Sequence, residues 1–93
     1  MNITIGDTTF DQVHYDEEAD VLYLHAGGPE RAVEFDESPE GHALRFDANG
    51  QLVGITIVNA RSRVESREPI VVTVPDQITI DPSMLAEAVQ PAA

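Results

Sequence analysis

Residues 42–58, His-Ala-Leu-Arg-Phe-Asp-Ala-Asn-Gly-Gln-Leu-Val-Gly-Ile-Thr-Ile-Val, restrict the fold of this chain more than any other stretch. Leu44 and Phe46 alternate with polar neighbours, and Val53, Ile55 and Ile57 alternate again. A period of two sends every second side chain to the same face of an extended strand, so both halves read as strands with one buried face. Asp47-Ala48-Asn49-Gly50 separates them, and Asn and Gly tolerate the positive φ angles of a tight turn. The chain must therefore accommodate a β-hairpin with one side turned to a core.

The flanks supply further strands. Residues 2–5 alternate through Ile3 and Ile5 and run into Gly6-Asp7, a turn signal. Residues 9–16 predict a second strand, and Glu17-Glu18-Ala19 turns the chain into a third over residues 20–25. With Asp16 opposite Asp20, His14 pairs with Leu22 and Val13 with Tyr23. Val13, Tyr15, Val21 and Tyr23 then share one face and His14, Leu22 and Leu24 the other, so both faces call for cover. Gly27-Gly28-Pro29 ends this hairpin, and residues 31–35 predict a shorter strand with Ala32 or Val33 and Phe35 turned inward. Residues 36–41 have the composition of a loop, and the polar residues 59–69 fit a loop or one helical turn equally well.

Residues 70–74 are a β-branched run between Pro69 and Pro75, which predicts a strand at a sheet edge, and residues 77–80 predict another. Asp81-Pro82-Ser83 opens a helix, with Asp81 as cap, Pro82 in the first turn and Met84, Leu85, Ala88 and Val89 as its apolar stripe, ending before Pro91. These elements predict an α+β, β-rich fold: a small antiparallel sheet of roughly five to seven strands with a short C-terminal helix packed on it. Ninety-three residues make one domain, 1–93, without room for a second core.

Charge bounds the partners. Seventeen acids face five arginines and no lysine, for a net charge of −12, and twelve of the acids precede position 48. Such a surface repels nucleic-acid phosphates and anionic membranes and favours basic proteins. The absence of cysteine excludes disulfides, thiolate metal sites and a thiol nucleophile. No apolar stretch approaches the ~18–20 residues that cross a bilayer, and no basic residues followed by an apolar run begin the chain, so a cytoplasmic location is expected.

Tyr15-Asp16-x-Glu18-Ala19-Asp20-Val21-Leu22-Tyr23, followed by Phe46-Asp47-x-Asn49-Gly50-x-Leu52-Val53-Gly54-Ile55, resembles the small bacterial domain of unknown function 2283 over about half the chain, residues 13–60. The resemblance implies a small antiparallel sheet and brings no catalytic residues. Some members look like the smaller partner of toxin–antitoxin-like gene pairs, which implies an antitoxin-like role. Members commonly carry Glu after Gly-Ile, whereas position 56 here is Thr.

The chemistry-bearing residues are few. Asp16, Glu17, Glu18 and Asp20, with His14 and His25 on the flanking strands, offer oxygen and imidazole ligands to a divalent ion. A metal site of His14, Asp16, Asp20 and His25 requires convergence, whereas alternate strand residues point to opposite faces; the competing role for Asp16 and Asp20 is to accept turn N–H groups. Asp47-Ala48-Asn49-Gly50 opens like a calcium loop but lacks the closing glutamate, since Val58 stands at the twelfth place. No nucleophile elbow, phosphate-cradling glycine loop or zinc-protease helix is present, so no catalytic residue and no cofactor are expected.

Arg61, Arg63 and Arg67 form the one basic cluster, interleaved with Glu65 and Glu68; they either close internal ion pairs or meet the acidic half of a neighbouring subunit. The leading expectation is a non-enzymatic protein-interaction module, the acidic partner of a basic protein and itself a homodimer. It uses Tyr15, Tyr23, Arg61, Arg63 and Arg67 for contact. The alternative is a small-molecule or divalent-ion binding domain built on the acidic turn and its histidines.

Overall fold

The computed structural model describes residues 1–74 and 76–89. Strands β1 (Ile3–Ile5) and β2 (Thr8–Phe10) form a short hairpin. Strands β3 (Gln12–Asp16), β4 (Val21–His25), β5 (Glu34–Glu37), β6 (Ala43–Phe46) and β7 (Leu52–Val58) form the main sheet, antiparallel throughout, in the order β3-β4-β7-β6-β5. Helix α1 (Ala60–Ser66) follows, then a second hairpin of β8 (Ile70–Val74) and β9 (Asp76–Ile80), and a 3-10 turn at Pro82–Met84. The fold is α+β and β-rich, with its α-helix directly after β7.

The hairpin of β6 and β7 forms as its alternation dictates, with Leu44 opposite Ile55 and Ala43 opposite Thr56. Of the Asn-Gly pair in its turn, Gly50 alone takes a positive φ, 78°. Asp47 organises the rest, its Oδ1 accepting the N–H groups of Asn49 and Gln51, each at 2.9 Å. Its Oδ2 lies 3.5 Å from Arg31 Nη2, which ties the turn to the 3-10 turn at Pro29–Arg31.

Leu22, Leu24, Leu44, Ile55 and Ile57 point to the inner face of the main sheet, none more than 3% exposed. Phe10 from β2, Ala60 from α1, Ile70 and Val72 from β8, Ile80 from β9 and Leu85 join them in one cluster. Each fully buried leucine or isoleucine contributes about 1.5–3 kcal/mol. Both small hairpins, the helix and the C-terminal turn thus cover one side of the main sheet.

Several expectations change here. The strand over residues 9–16 breaks at Asp11, whose Oδ1 accepts the Gly27 N–H at 2.9 Å, so β2 and β3 belong to different sheets. Asp16 stands opposite Val21 rather than Asp20, which pairs His14 with Tyr23 and Val13 with Leu24. Asp20 takes a left-handed conformation, φ 55°, and the turn lengthens by one residue. Because side chains alternate, that single step exchanges faces: Val13, Tyr15, Leu22 and Leu24 share the inner face, His14, Val21 and Tyr23 the outer.

The strand expected over residues 31–35 begins at Glu34, and neither Val33 nor Phe35 turns inward; they are 54% and 69% exposed. Beyond β6 the core has ended, so β5 has nothing to bury against. Residues 59–69 contain α1, resolving the choice between loop and helix. The C-terminal helix is a single 3-10 turn, although Asp81 caps it as expected, Oδ1 accepting the Ser83 N–H at 3.0 Å. Leu85 and Val89 are buried, while Met84 is 44% exposed. The expected stop at Pro91 lies outside the described residues.

Candidate functional site

The acidic turn is committed to structure. Asp16 Oδ1 accepts the Ala19 N–H at 3.2 Å, closing the turn between β3 and β4. Asp20 reaches across to α1. Its Oδ1 accepts the Tyr15 hydroxyl and the Arg61 N–H, both at 2.7 Å, and its Oδ2 accepts the Ser62 hydroxyl at 3.1 Å. Asn59, the residue before the helix, makes no side-chain cap, so the Asp20 carboxylate, from the other half of the chain, accepts the N–H groups of Arg61 and Ser62 instead. Burial pushes the Asp20 carboxyl up, but the hydrogen bonds from Tyr15, Arg61 and Ser62 outweigh it and hold the group below its ordinary value. Tyr15, desolvated and donating to that carboxylate, is pushed up to about 12.

His14 and His25 lie elsewhere, on the outer face of the main sheet. The His14 ring stacks on Tyr23, centroids 6.0 Å apart. His25 Nδ1 donates to the Gly27 carbonyl at 2.9 Å, which leaves Nε2 buried and without a partner among the described residues. Gly54 makes this possible. A Cβ there would stand 3.1 Å from both His25 Cδ2 and Arg45 Cβ, so the absent side chain lets both residues lie flat on the strand. Asp11, Gln12, His14, Tyr23, His25 and Arg45 line a hollow of about 460 Å³ on this face.

The structure thus brings His14 and His25 to one hollow and places Asp16 and Asp20 in turn and cap bonds. Among the described residues no three histidine or carboxylate side chains lie close enough together to hold a metal ion.

The remaining face residues are Val21 and Val58, Thr56 and Ala43 at the centre, and Phe35 under the Arg45 guanidinium at 5.7 Å. Tyr23 is 39% exposed. Tyr15 is on the inner face, its hydroxyl held by Asp20. Arg61 pairs with Glu65 one turn on, Nε to Oε1 3.2 Å, and Arg63 Nε donates to the Val58 carbonyl at 2.8 Å. Arg67 terminates α1 in a left-handed conformation, φ 58°. A second cleft, of about 880 Å³, lies between the end of α1 and the Pro82–Met84 turn, lined by Val64, Arg67, Pro69, Thr79, Pro82 and Ala86.

His42 occupies the interior. It is fully buried, Nδ1 accepts the Val58 N–H at 3.4 Å, and Nε2 has no partner among the described residues. Burial, then the positive Arg63, pushes its imidazole below the ordinary 6.5, with Glu40 acting in the opposite sense. Glu40 accepts from the Thr73 hydroxyl at 2.7 Å and the Thr73 N–H at 3.0 Å, which fastens β8 to the loop before β6. The Thr73 hydroxyl bond is the main reason the Glu40 carboxyl lies below its usual range.

Sequence reading missed Phe35, Glu37, Ala43, Arg45, Gly54 and Thr56 as members of one surface. The signal was present in the alternation that identified Leu44, Ile55 and Ile57, since the residues between buried positions belong to the opposite face.

Residues 12–61 match a family model described as Protein of unknown function (DUF2283). That span contains the whole main sheet and the Asp20-capped start of α1, and excludes β1, β2, β8 and β9. No curated protein and no solved structure matches the chain. Among the described residues no helix is long and apolar enough to cross a membrane.

Proposed function

The chain belongs to the DUF2283 family of proteins of unknown function, and we propose that it is a non-enzymatic protein-interaction module, the acidic member of a pair with a basic protein. The observation that carries this reading is β5. Among the described residues it is an outer strand of the main sheet paired with β6 alone, and all four of its side chains are exposed. Glu34, Asp36 and Glu37 make no ion pair among the described residues. An open strand edge pairs through its backbone with an extended segment, and the side chains beside it choose which segment. Three carboxylates in four residues repel a second β5 edge and attract lysine and arginine, in keeping with the net charge of −12.

The test is a titration of isotope-labelled protein with an extended peptide of alternating lysine and valine. Amide shifts are expected at residues 33–37 and 43–46, weakening as salt shortens the screening length from about 10 Å at 0.1 M to about 3 Å at 1 M. The variant Glu34→Gln/Asp36→Asn/Glu37→Gln is expected to lose them, while Asp7→Asn/Glu17→Gln/Glu18→Gln, with the same charge change elsewhere, keeps them. Equal binding by the two variants would contradict the reading.

A further inference from the structure

The outer face of the main sheet has an internal order that the open edge does not explain. Strand registers align its residues in rows. His14 stands opposite Tyr23, Tyr23 opposite Thr56, Thr56 opposite Ala43, and Ala43 opposite Glu37. The adjacent row runs Gln12, His25, Gly54, Arg45, Phe35 in the same strand order. Both rows centre on a small residue of β7, and each complements its own reversal. Reversing the first puts the ring of Tyr23 over the methyl of Ala43 and the imidazole of His14 over the carboxylate of Glu37. Reversing the second puts the guanidinium of Arg45 over the imidazole of His25 and the ring of Phe35 over Gln12.

We propose that a second copy of this chain covers the outer face, the two sheets stacked about a two-fold axis that runs along β7 past Gly54 and Thr56. The inference rests on the interaction-module reading and adds a surface and a partner to it. A two-fold contact requires a patch that is complementary to itself, and a row with a ring on one side, a methyl on the other and a hydroxyl at the axis has that property. The other in-plane axis, across the strands, would set Tyr23 over Tyr23 and Glu37 over Glu37, with a void at Ala43. Aligned packing of two sheets is an ordinary geometry, and small residues at the axis let the faces approach.

Strands ~4.8 Å apart, rising ~3.3 Å per residue and about five residues long on average, give a flat face of roughly 20 by 17 Å, so two stacked faces remove on the order of 700 Å² from water before side-chain relief is counted. That is the size of a weak, concentration-dependent association. Exposed Tyr23 and Phe35, half-buried Val21 and Val58, and Ala43 supply its apolar content. Two chains of charge −12 repel at long range, so salt should tighten this contact, the opposite of its effect on a basic strand at β5.

Sedimentation equilibrium over a concentration series at two salt concentrations tests the proposal. Wild-type protein is expected to dimerise with concentration, more tightly at the higher salt. Tyr23→Ala and Ala43→Tyr should each weaken the dimer about ten-fold or more, as truncating or blocking a buried tyrosine does. Tyr23→Ala/Ala43→Tyr exchanges ring and hollow and should restore most of the affinity. Both substituted positions face solvent in the monomer, and circular dichroism of each variant checks that the fold persists. A monomer at every concentration, a dimer indifferent to these residues, or a double variant no better than the singles would overturn the proposal. The lysine–valine titration of β5 on the same variants reads the module hypothesis separately, since loss of the dimer leaves the edge open.

Discussion

The two faces of the main sheet are built from alternate residues of the same strands and obey different rules. Along β4, Leu22 and Leu24 are 0% and 2% exposed, whereas Tyr23 between them is 39% exposed. The inner face is finished by elements from both ends of the chain, Phe10 before it and Ile70, Val72 and Ile80 after it. Among the described residues no strand or helix covers the outer face; its side chains lie on one another instead, His14 on Tyr23 and Arg45 over Phe35. Burial therefore belongs to one set of alternate positions, and the other set faces solvent in the single chain.

Substitutions one residue apart break or sharpen this contrast. Leu22→Ala should lose about 2–5 kcal/mol, because the cavity it leaves adds to the lost burial. Tyr23→Ala should cost less than about 1 kcal/mol in dilute solution, where only the stack on His14 is lost. Urea unfolding of both variants reads the difference, and equal losses would end the distinction between the faces.

Asp20→Ala comes next, at about 1–3 kcal/mol, since it leaves the Tyr15 hydroxyl and the N–H groups of Arg61 and Ser62 without their acceptor. Asp20 lies below its ordinary 3.8 in the fold, so its contribution is complete above that pH and disappears as pH falls through the lower folded value. Tyr15 works at the other end of the scale. Its hydroxyl loses its proton near 10 when unfolded and at about 12 when folded, so stability should fall across that interval, and Tyr15→Phe should remove the fall. Unfolding curves at graded pH measure both.

His42 gives a smaller effect near neutrality. The buried ring stays neutral when the unfolded chain has begun to take up a proton at 6.5, so stability declines as pH drops below that value and levels off once the buried ring protonates. His42→Leu should flatten the profile; an unchanged slope would place its origin at another group. The smallest expected effect is that of Arg61→Ala, which removes an exposed pair with Glu65 and should cost no more than about 0.5 kcal/mol.

The legible parts of this fold were the locally encoded ones. Alternation through Leu44, Ile55 and Ile57 and the Asp-x-Asn-Gly turn fix β6 and β7 without help from distant residues. Helix α1 was hard to read because residues 60–66 carry no apolar stripe, Ala60 being the one buried member, and because its cap comes from Asp20 in the other half of the chain. The β3–β4 register slipped by one because Asp20 spends a residue in the left-handed region, which composition does not reveal. That slip alone moved Tyr23 from a face shared with Tyr15 to one shared with His14. Phe35 reads as turned inward because its hydrophobicity is local information, whereas its place on the outermost strand is not.

The most direct test of the division between the faces is a filtered nuclear Overhauser experiment on a mixture of labelled and unlabelled chains. Within one chain β7 separates the strands of Tyr23 and Ala43, so a cross-peak between the Tyr23 ring and an Ala43 methyl of the other copy reports stacking of outer faces. That cross-peak is the expected result. Intermolecular signals falling on Leu22, Ile57 or α1, or none at concentrations where the protein is dimeric, would contradict it.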